Sequence, residues 1–106
     1  MRRLLPFVAA SLFSFSAFAA EMPFVAITAI VEHPALDAAR DGVKDELKAA
    51  GFIEGTSLKV AYQSAQGNTA TASQIAKKFI GDKPNVIVAI GTPSAQALVS
   101  STKTIP

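Results

Sequence analysis

One polar turn near the end of the chain has the residue types and spacing to bind a small anion. The apolar run at 86–90 stops at Gly91, and Thr92, Pro93 and Ser94 then open a helical pattern. Where a parallel strand leads into a helix, the first helical N–H groups lack partners and the helix dipole is positive there. Glycine allows close approach to the backbone, and hydroxyls can add hydrogen bonds. The pattern predicts a ligand site at Gly91, Thr92 and Ser94, with helix capping as the alternative role of either hydroxyl.

Two further loops carry polar side chains that could face the same ligand. Glu32 and His33 follow the first apolar run, and the Glu32 carboxylate could pair with an ammonium group. Gln66 and Asn68 lie in the next polar loop and could hydrogen-bond a polar ligand. The alternatives stay open: Glu32 can serve as a helix-dipole partner, His33 can cap or pack, and Gln66 and Asn68 can belong to an ordinary turn.

The first half of the chain predicts a strand followed by a helix. Residues 24–30 are apolar almost throughout, as in a strand buried on both faces. Pro34 suits the first turn of a helix that ends at Gly51. Its apolar residues recur every three or four positions, at Leu36, Ala39, Val43, Leu47 and Ala50. Gly42 lies inside this helix, and we expect it to mark close packing against the sheet or an approach to a ligand.

The second half repeats the alternation. Residues 58–62 alternate like a strand near a sheet edge. Thr69 or Thr71 can cap a helix with a buried stripe, formed by Ala72, Ile75, Ala76, Phe79 and Ile80. A third strand at 86–90 and a third helix from about Ser94 to Ser101 follow, and residues 105–106 could open a fourth strand.

This alternation predicts an α/β fold with a parallel sheet, right-handed crossovers and helices on both faces. Such sheets bind ligands outside the carboxyl ends of their strands. The three loops described above all follow predicted strands, so the fold would gather them at one edge.

The beginning of the chain is typical of an export signal. Residues 1–3 supply positive charge, an apolar stretch follows, and Ala17-Phe18-Ala19 has the small-x-small pattern of a cleavage site. We predict a signal peptide at 1–19 and a mature chain that begins at Ala20 or Glu21. The alternative, an N-terminal membrane anchor, needs about 18 or more apolar residues without such a site.

Composition argues against several classes of partner. The formal charge of +2 equals the contribution of Arg2 and Arg3, so residues 20–106 are balanced and hold no basic cluster for nucleic acid. The chain has no cysteine, which excludes disulfides, thiolate metal sites and a lipid-modified cysteine. With one histidine, His33, a zinc site is not expected, and we predict no metal and no cofactor.

A small secreted hydrolase is the least favoured alternative. Catalysis by a nucleophile requires a base and an orienting acid within reach. The sequence has no Gly-x-Ser-x-Gly elbow and no phosphate loop, and His33 and Ser94 have no evident third member. We therefore assign no catalytic residue and do not expect an enzyme.

Three collinear segments resemble the substrate-binding proteins of ABC transporters with the type I periplasmic-binding fold. They are EHPALDAARDG at 32–42, LKAAGFIEG at 47–55 and AIGTPSAQA at 89–97. The similar branch includes binders of aromatic amino acids and many proteins of unassigned substrate. The resemblance implies two α/β lobes that enclose a ligand, and residues 20–106 would form part of the N-terminal lobe of a longer protein.

The same resemblance implies a function and a location. The protein would capture a small solute in the periplasm and deliver it to an ABC permease in the inner membrane, which works with its ATPase. In the family the loop after the third strand holds a ligand carboxylate, a role that would fall on Gly91, Thr92 and Ser94. An amino acid is the favoured solute, while sugars and purine-like molecules stay possible. A secreted or periplasmic sensing lobe without transport is the alternative function.

Overall fold

A computed structural model describes residues 22–106 of the chain, which form three strands and three helices in strict alternation. The predicted signal peptide at 1–19 lies outside these residues. The elements are β1 (Phe24–Ala29), α1 (Pro34–Ala49), β2 (Lys59–Ser64), α2 (Thr69–Gly81), β3 (Val86–Ile90) and α3 (Thr92–Ser101). Among the described helices, none is both long and apolar enough to cross a membrane.

The three strands form one parallel sheet in the order β2-β1-β3. In the register, Ile27 of β1 lies opposite Tyr62 of β2 and Val88 of β3. All six residues of β1 are buried, whereas every residue of β2 is exposed or half-buried. The parallel α/β fold and the edge position of β2 are therefore confirmed.

Helices cover both faces of the sheet, as predicted. On one face, Ala26 packs in a cluster with Ala72, Ile75 and Phe79 of α2. On the other face, Ile27 belongs to a second cluster, against which the apolar stripe of α1 packs. Burial of these side chains is the main source of stability, since a fully buried Ile or Phe contributes about 1.5–3 kcal/mol.

Element boundaries differ from the sequence predictions in two places that matter for the loops. The third helix begins at Thr92 rather than near Ser94, because Gly91 is its N-cap. Asn68, rather than Thr69 or Thr71, caps α2: its side-chain oxygen accepts a hydrogen bond from the Thr71 N–H at 3.0 Å. Asn is among the best N-cap residues, so the Asn68 cap is the ordinary choice.

Smaller differences affect the other elements. The first strand ends at Ala29, α1 ends at Ala49 with Ala50 as its C-cap, and β2 covers 59–64 rather than 58–62. The predicted fourth strand is represented by one backbone bond, in which the Ile87 N–H donates to the Pro106 carbonyl at 2.9 Å. This bond places the end of the chain along β3.

The packing expectation for Gly42 is wrong. Gly42 lies on the exposed side of α1, and a Cβ atom added there would meet no atom within 4 Å. Its place in the helix has no steric cause in the described residues.

Candidate ligand-binding site

The loops that follow the three strands are tied together at the carboxyl edge of the sheet. The Ile30 N–H donates to the Ile90 carbonyl at 3.0 Å, and the Gly67 N–H donates to the Ile30 carbonyl at 2.6 Å. A further bond joins the Ala65 N–H to the Ala29 carbonyl at 2.8 Å. The backbone thus brings all three predicted loops to one edge of the sheet, where open parallel sheets bind ligands.

The start of α3 presents unpaired N–H groups at this edge. Gly91 is the N-cap with φ 99° and ψ 142°, and no side chain caps the helix. The first intrahelical bond runs from the Ala95 N–H to the Gly91 carbonyl at 3.0 Å, and within the described residues the N–H groups of Thr92 and Ser94 have no recorded partner. Because Pro93 has no N–H, two oriented donors and the positive dipole end remain for an anion.

The two hydroxyls of this turn have different surroundings. Thr92 is exposed, whereas Ser94 is only 1 % exposed and its Oγ atom is buried without a hydrogen-bond partner among the described residues. Neither hydroxyl caps α3, so the capping alternative is wrong. A ligand at the surface of this turn can meet the Thr92 side chain, while Ser94 has mainly its backbone N–H to offer.

Gly91 has a steric reason to lack a side chain. Its φ lies in the left-handed region, and a Cβ atom there would lie 2.5 Å from Cγ2 of Ile30. Side chains of L-residues rarely tolerate either condition. The group that approaches Gly91 here is therefore the side chain of Ile30, from the loop after β1. The sequence pattern, which favours the approach of a ligand as the reason for the glycine, does not predict this contact.

The loop after β1 uses one of its two candidates for capping. His33 is the N-cap of α1, and its Nδ1 atom accepts a hydrogen bond from the Ala35 N–H at 3.2 Å. His33 and Glu32 are both exposed, and no ion pair of Glu32 is recorded in the described part of the chain. The second ring nitrogen of His33 and the Glu32 carboxylate remain available to a ligand.

In the loop after β2, the side-chain oxygen of Asn68 caps α2, and its amide NH₂ group remains available as a donor. Gln66 adopts φ 54°, and its backbone N–H donates to the Ser64 hydroxyl at 3.2 Å. The Gln66 side chain is exposed at the same sheet edge. The structure therefore leaves both residues able to donate to a polar ligand.

Charged side chains of α1 form several ion pairs. Arg40 donates from Nε to Asp41 Oδ1 at 2.9 Å, and its Nη1 lies 3.7 Å from Asp37 Oδ1. The hydrogen bond to Asp41 is the main cause that raises the pKa of Arg40, and the same bond lowers the pKa of Asp41. Lys44 and Glu54 form a further pair at 3.3 Å. Asp41, Lys44 and Glu54 are largely open to solvent, as is typical of surface ion pairs, whereas Arg40 and Asp37 are half-buried.

A concavity at the opposite end of the sheet does not compete with this edge as a ligand site. A concavity of about 300 Å³ lies between the C-terminal half of α1 and the beginning of β2, lined by residues such as Lys48, Phe52 and Leu58. It opens at the end of the sheet opposite the three loops, where α/β sheets do not usually bind ligands. Residues 22–106 contain no group of three or more His, Cys, Asp and Glu side chains that could hold a metal ion.

Comparison with known proteins identifies the family to which the chain belongs. Residues 24–106 match the model of the family described as ABC transporter substrate binding protein. The chain therefore belongs to the ABC transporter substrate-binding protein family, whose members are in general extracytoplasmic binding proteins rather than enzymes. The match covers all the described strands and helices.

A curated relative and several solved structures are similar to the chain. The tyrosine-binding protein of Clostridioides difficile strain R20291 is 44% identical over 82 residues, which are 77% of this chain and 24% of the relative. A conserved domain protein of Vibrio cholerae is 58% identical with a TM-score of 0.80, over 81% of this chain and 29% of that one. The ABC domain of Streptococcus pneumoniae in complex with L-Trp is 27% identical with a TM-score of 0.75, over 79% and 28%.

A ligand-free, open structure of a substrate binding protein with adhesive properties from Clostridium difficile is also similar, at 46% identity and a TM-score of 0.77. The match covers 79% of this chain and 28% of the Clostridium difficile protein. The chain thus spans about a quarter of the length of the curated relative and just over a quarter of the solved structures.

Proposed function

We propose that this protein is the amino-acid-binding component of an ABC importer, and that an aromatic L-amino acid is its ligand. The observation that carries the proposal is the start of α3, where uncapped N–H groups and the positive dipole end meet the other two loops. A carboxylate is the anion that an amino acid would bring to this position. The names of the relatives support the choice, since one is a tyrosine-binding protein and another is in complex with L-Trp.

In this proposal Gly91, Thr92 and Ser94 bind the carboxylate. The N–H groups of Thr92 and Ser94 and the Thr92 hydroxyl donate to it, and Gly91 gives the turn its shape. Glu32 is the candidate partner of the α-ammonium group, because it is an exposed carboxylate on the adjoining loop. His33, Gln66 and Asn68 would complete the polar rim of the site.

The transport role is also part of the proposal. The bound amino acid would be enclosed between this lobe and a second lobe and passed to an inner-membrane permease that works with an ATPase. The signal at 1–19 would place the protein in the periplasm. Edman sequencing of the exported protein tests this step, and a first residue of Ala20 or Glu21 would support cleavage at the predicted site.

A binding experiment tests the ligand. The full-length protein, stripped of bound ligand by unfolding and refolding, is titrated calorimetrically with L-tyrosine, L-tryptophan, L-phenylalanine and glycine. We expect saturable binding of an aromatic amino acid and a raised Tm in its presence, because a ligand that binds only the native state stabilises it. Binding of none of the four would refute the amino-acid assignment. Uptake of the radiolabelled ligand by cells with and without the protein then tests delivery.

A further inference from the structure

We infer that Ile30 is the positioning residue of the ligand site: through its backbone and its Cγ2 atom it sets the relative placement of the three loops. The inference rests on the proposed function for its binding consequence, while its structural part can be tested without ligand. Ile30 directly follows β1, the central strand, and is the residue at which the three loops meet.

The backbone of Ile30 forms hydrogen bonds to both outer segments, one on each side of β1. Its N–H donates to the carbonyl of Ile90, the last residue of β3, at 3.0 Å. Its carbonyl accepts from the Gly67 N–H, in the loop after β2, at 2.6 Å. The backbone of Ile30 therefore fixes the positions of both outer loops relative to the central loop.

The side chain of Ile30 supplies the third connection. Its Cγ2 atom lies 2.5 Å from the position that a Cβ atom on Gly91 would occupy, and its Cβ atom lies 3.2 Å from the same position. Ile30 thus packs directly on the backbone of the residue that caps α3. Because the side chain approaches this backbone so closely, we expect a side chain of different shape to displace the Gly91 turn.

The shape of the Ile30 side chain, more than its volume, decides this contact. Valine keeps a branched Cβ with a Cγ2 methyl group, whereas leucine has the volume of isoleucine but branches one carbon later. A shift of the Gly91 turn re-aims the N–H groups of Thr92 and Ser94, and hydrogen bonds weaken steeply with misalignment. Ile30→Val should therefore preserve binding, and Ile30→Leu should impair it.

The first test compares Ile30→Val and Ile30→Leu in the full-length protein, with L-tyrosine and L-tryptophan as probes in calorimetric titrations. Ile27→Val and Ile27→Leu are the matched controls, because Ile27 lies in β1, the strand that Ile30 follows, but packs in the cluster under α1, away from the three loops. We expect Ile30→Leu to weaken binding about tenfold or more, a loss of about 1.4 kcal/mol. Ile30→Val and both Ile27 variants should change affinity by less than about threefold once compared at temperatures well below each Tm.

The second test needs no ligand. Tm is measured for Gly91→Ala, Ile30→Ala and the double variant. If the two side chains compete for the same space, Gly91→Ala lowers Tm strongly alone and less in the Ile30→Ala background, which is a non-additive cycle. The φ of 99° leaves some cost in both backgrounds.

The outcomes separate the two proposals. Equal affinities of the Ile30→Val and Ile30→Leu variants, or additive Tm losses in the cycle, would overturn the role of Ile30. If the unaltered protein binds none of the four amino acids named above, the amino-acid function is refuted, and the Tm cycle by itself decides whether Ile30 positions Gly91. If Ile30→Leu does not fold, an Ile30→Val variant with normal affinity and a non-additive cycle would still support the inference.

Discussion

The guanidinium of Arg40 lies over the aromatic ring of Tyr62, 4.7 Å from its centroid, and so joins α1 to the edge strand β2. The hydroxyl of Tyr62 is buried and has no hydrogen-bond partner in the described residues. The negative face of the aromatic ring attracts the cation. This contact helps to fix the first turns of α1, which follow the loop that carries Glu32 and His33.

The Arg40–Tyr62 contact predicts a difference between two substitutions of Tyr62. Tyr62→Phe keeps the ring and removes a buried hydroxyl that lacks a partner, so the free energy of unfolding should change by less than about 1 kcal/mol. Tyr62→Leu removes the ring and should destabilise the protein. Urea unfolding measures both. In an Arg40→Ala background the additional loss from Tyr62→Leu should shrink, and equal losses in both backgrounds would contradict a direct interaction.

Single substitutions of Thr92 and Ser94 should separate their roles in ligand binding. We expect Thr92→Ala to weaken binding of the aromatic amino acid about tenfold, because an exposed hydroxyl would lose a hydrogen bond to a charged group. Ser94→Ala should have little effect on affinity, since the Ser94 Oγ atom is buried. Calorimetric titration measures both.

Thr56→Ala is the matched control for these variants, because Thr56 is exposed in the turn before β2, away from the loop edge. It should leave affinity unchanged. If Ser94→Ala weakens binding more than Thr92→Ala, the two assignments are reversed.

The Arg40–Asp41 hydrogen bond predicts a pH effect on stability. It lowers the pKa of Asp41, so the folded protein binds fewer protons here than the unfolded chain in the range below about pH 5. Its stabilising contribution is complete above the ordinary carboxyl pKa and is lost as the pH falls through the lowered one. Asp41→Asn should therefore reduce stability at neutral pH and flatten the profile of Tm against pH on the acid side.

Asp45→Asn is the control for this profile, because it removes one negative charge from the same helix, and no ion pair of Asp45 is recorded in the described residues. Thermal unfolding from pH 7 to about pH 2 at low and high salt measures the effect, which salt should reduce. Identical profiles for the Asp41 and Asp45 variants would show that the hydrogen bond does not contribute.

Gly42→Ala should stabilise the protein. An added Cβ atom meets nothing within 4 Å, and alanine in a helix interior is favoured over glycine by about 0.5–1 kcal/mol. Thermal unfolding of the ligand-free protein measures the gain. Ala38→Gly, at another exposed position of α1, should cost a similar amount. A loss of stability in Gly42→Ala would mean that another part of the protein packs against this position.

The sequence by itself determined the alternation of strands and helices, the parallel sheet and the gathering of three loops at one edge. These features follow from the local spacing of apolar residues. The apolar run of β1 is typical of a central strand, and the three- and four-residue steps of α1 are typical of an amphipathic helix. The turn at Gly91 could also be predicted, because a glycine between a strand and a helix marks a special backbone conformation. Capping by His33 was among the roles that its sequence left open, and the structure shows it.

Only the tertiary structure decided where individual side chains lie. It buried the Ser94 hydroxyl, gave the α2 cap to Asn68, exposed Gly42 and packed Ile30 on the backbone of Gly91. Each outcome depends on contacts between residues that are distant in the chain or on a choice among several adequate caps. Periodicity reports which face of an element is apolar, but the contact between Ile30 and Gly91 exists only because β1 and β3 pair in one particular register.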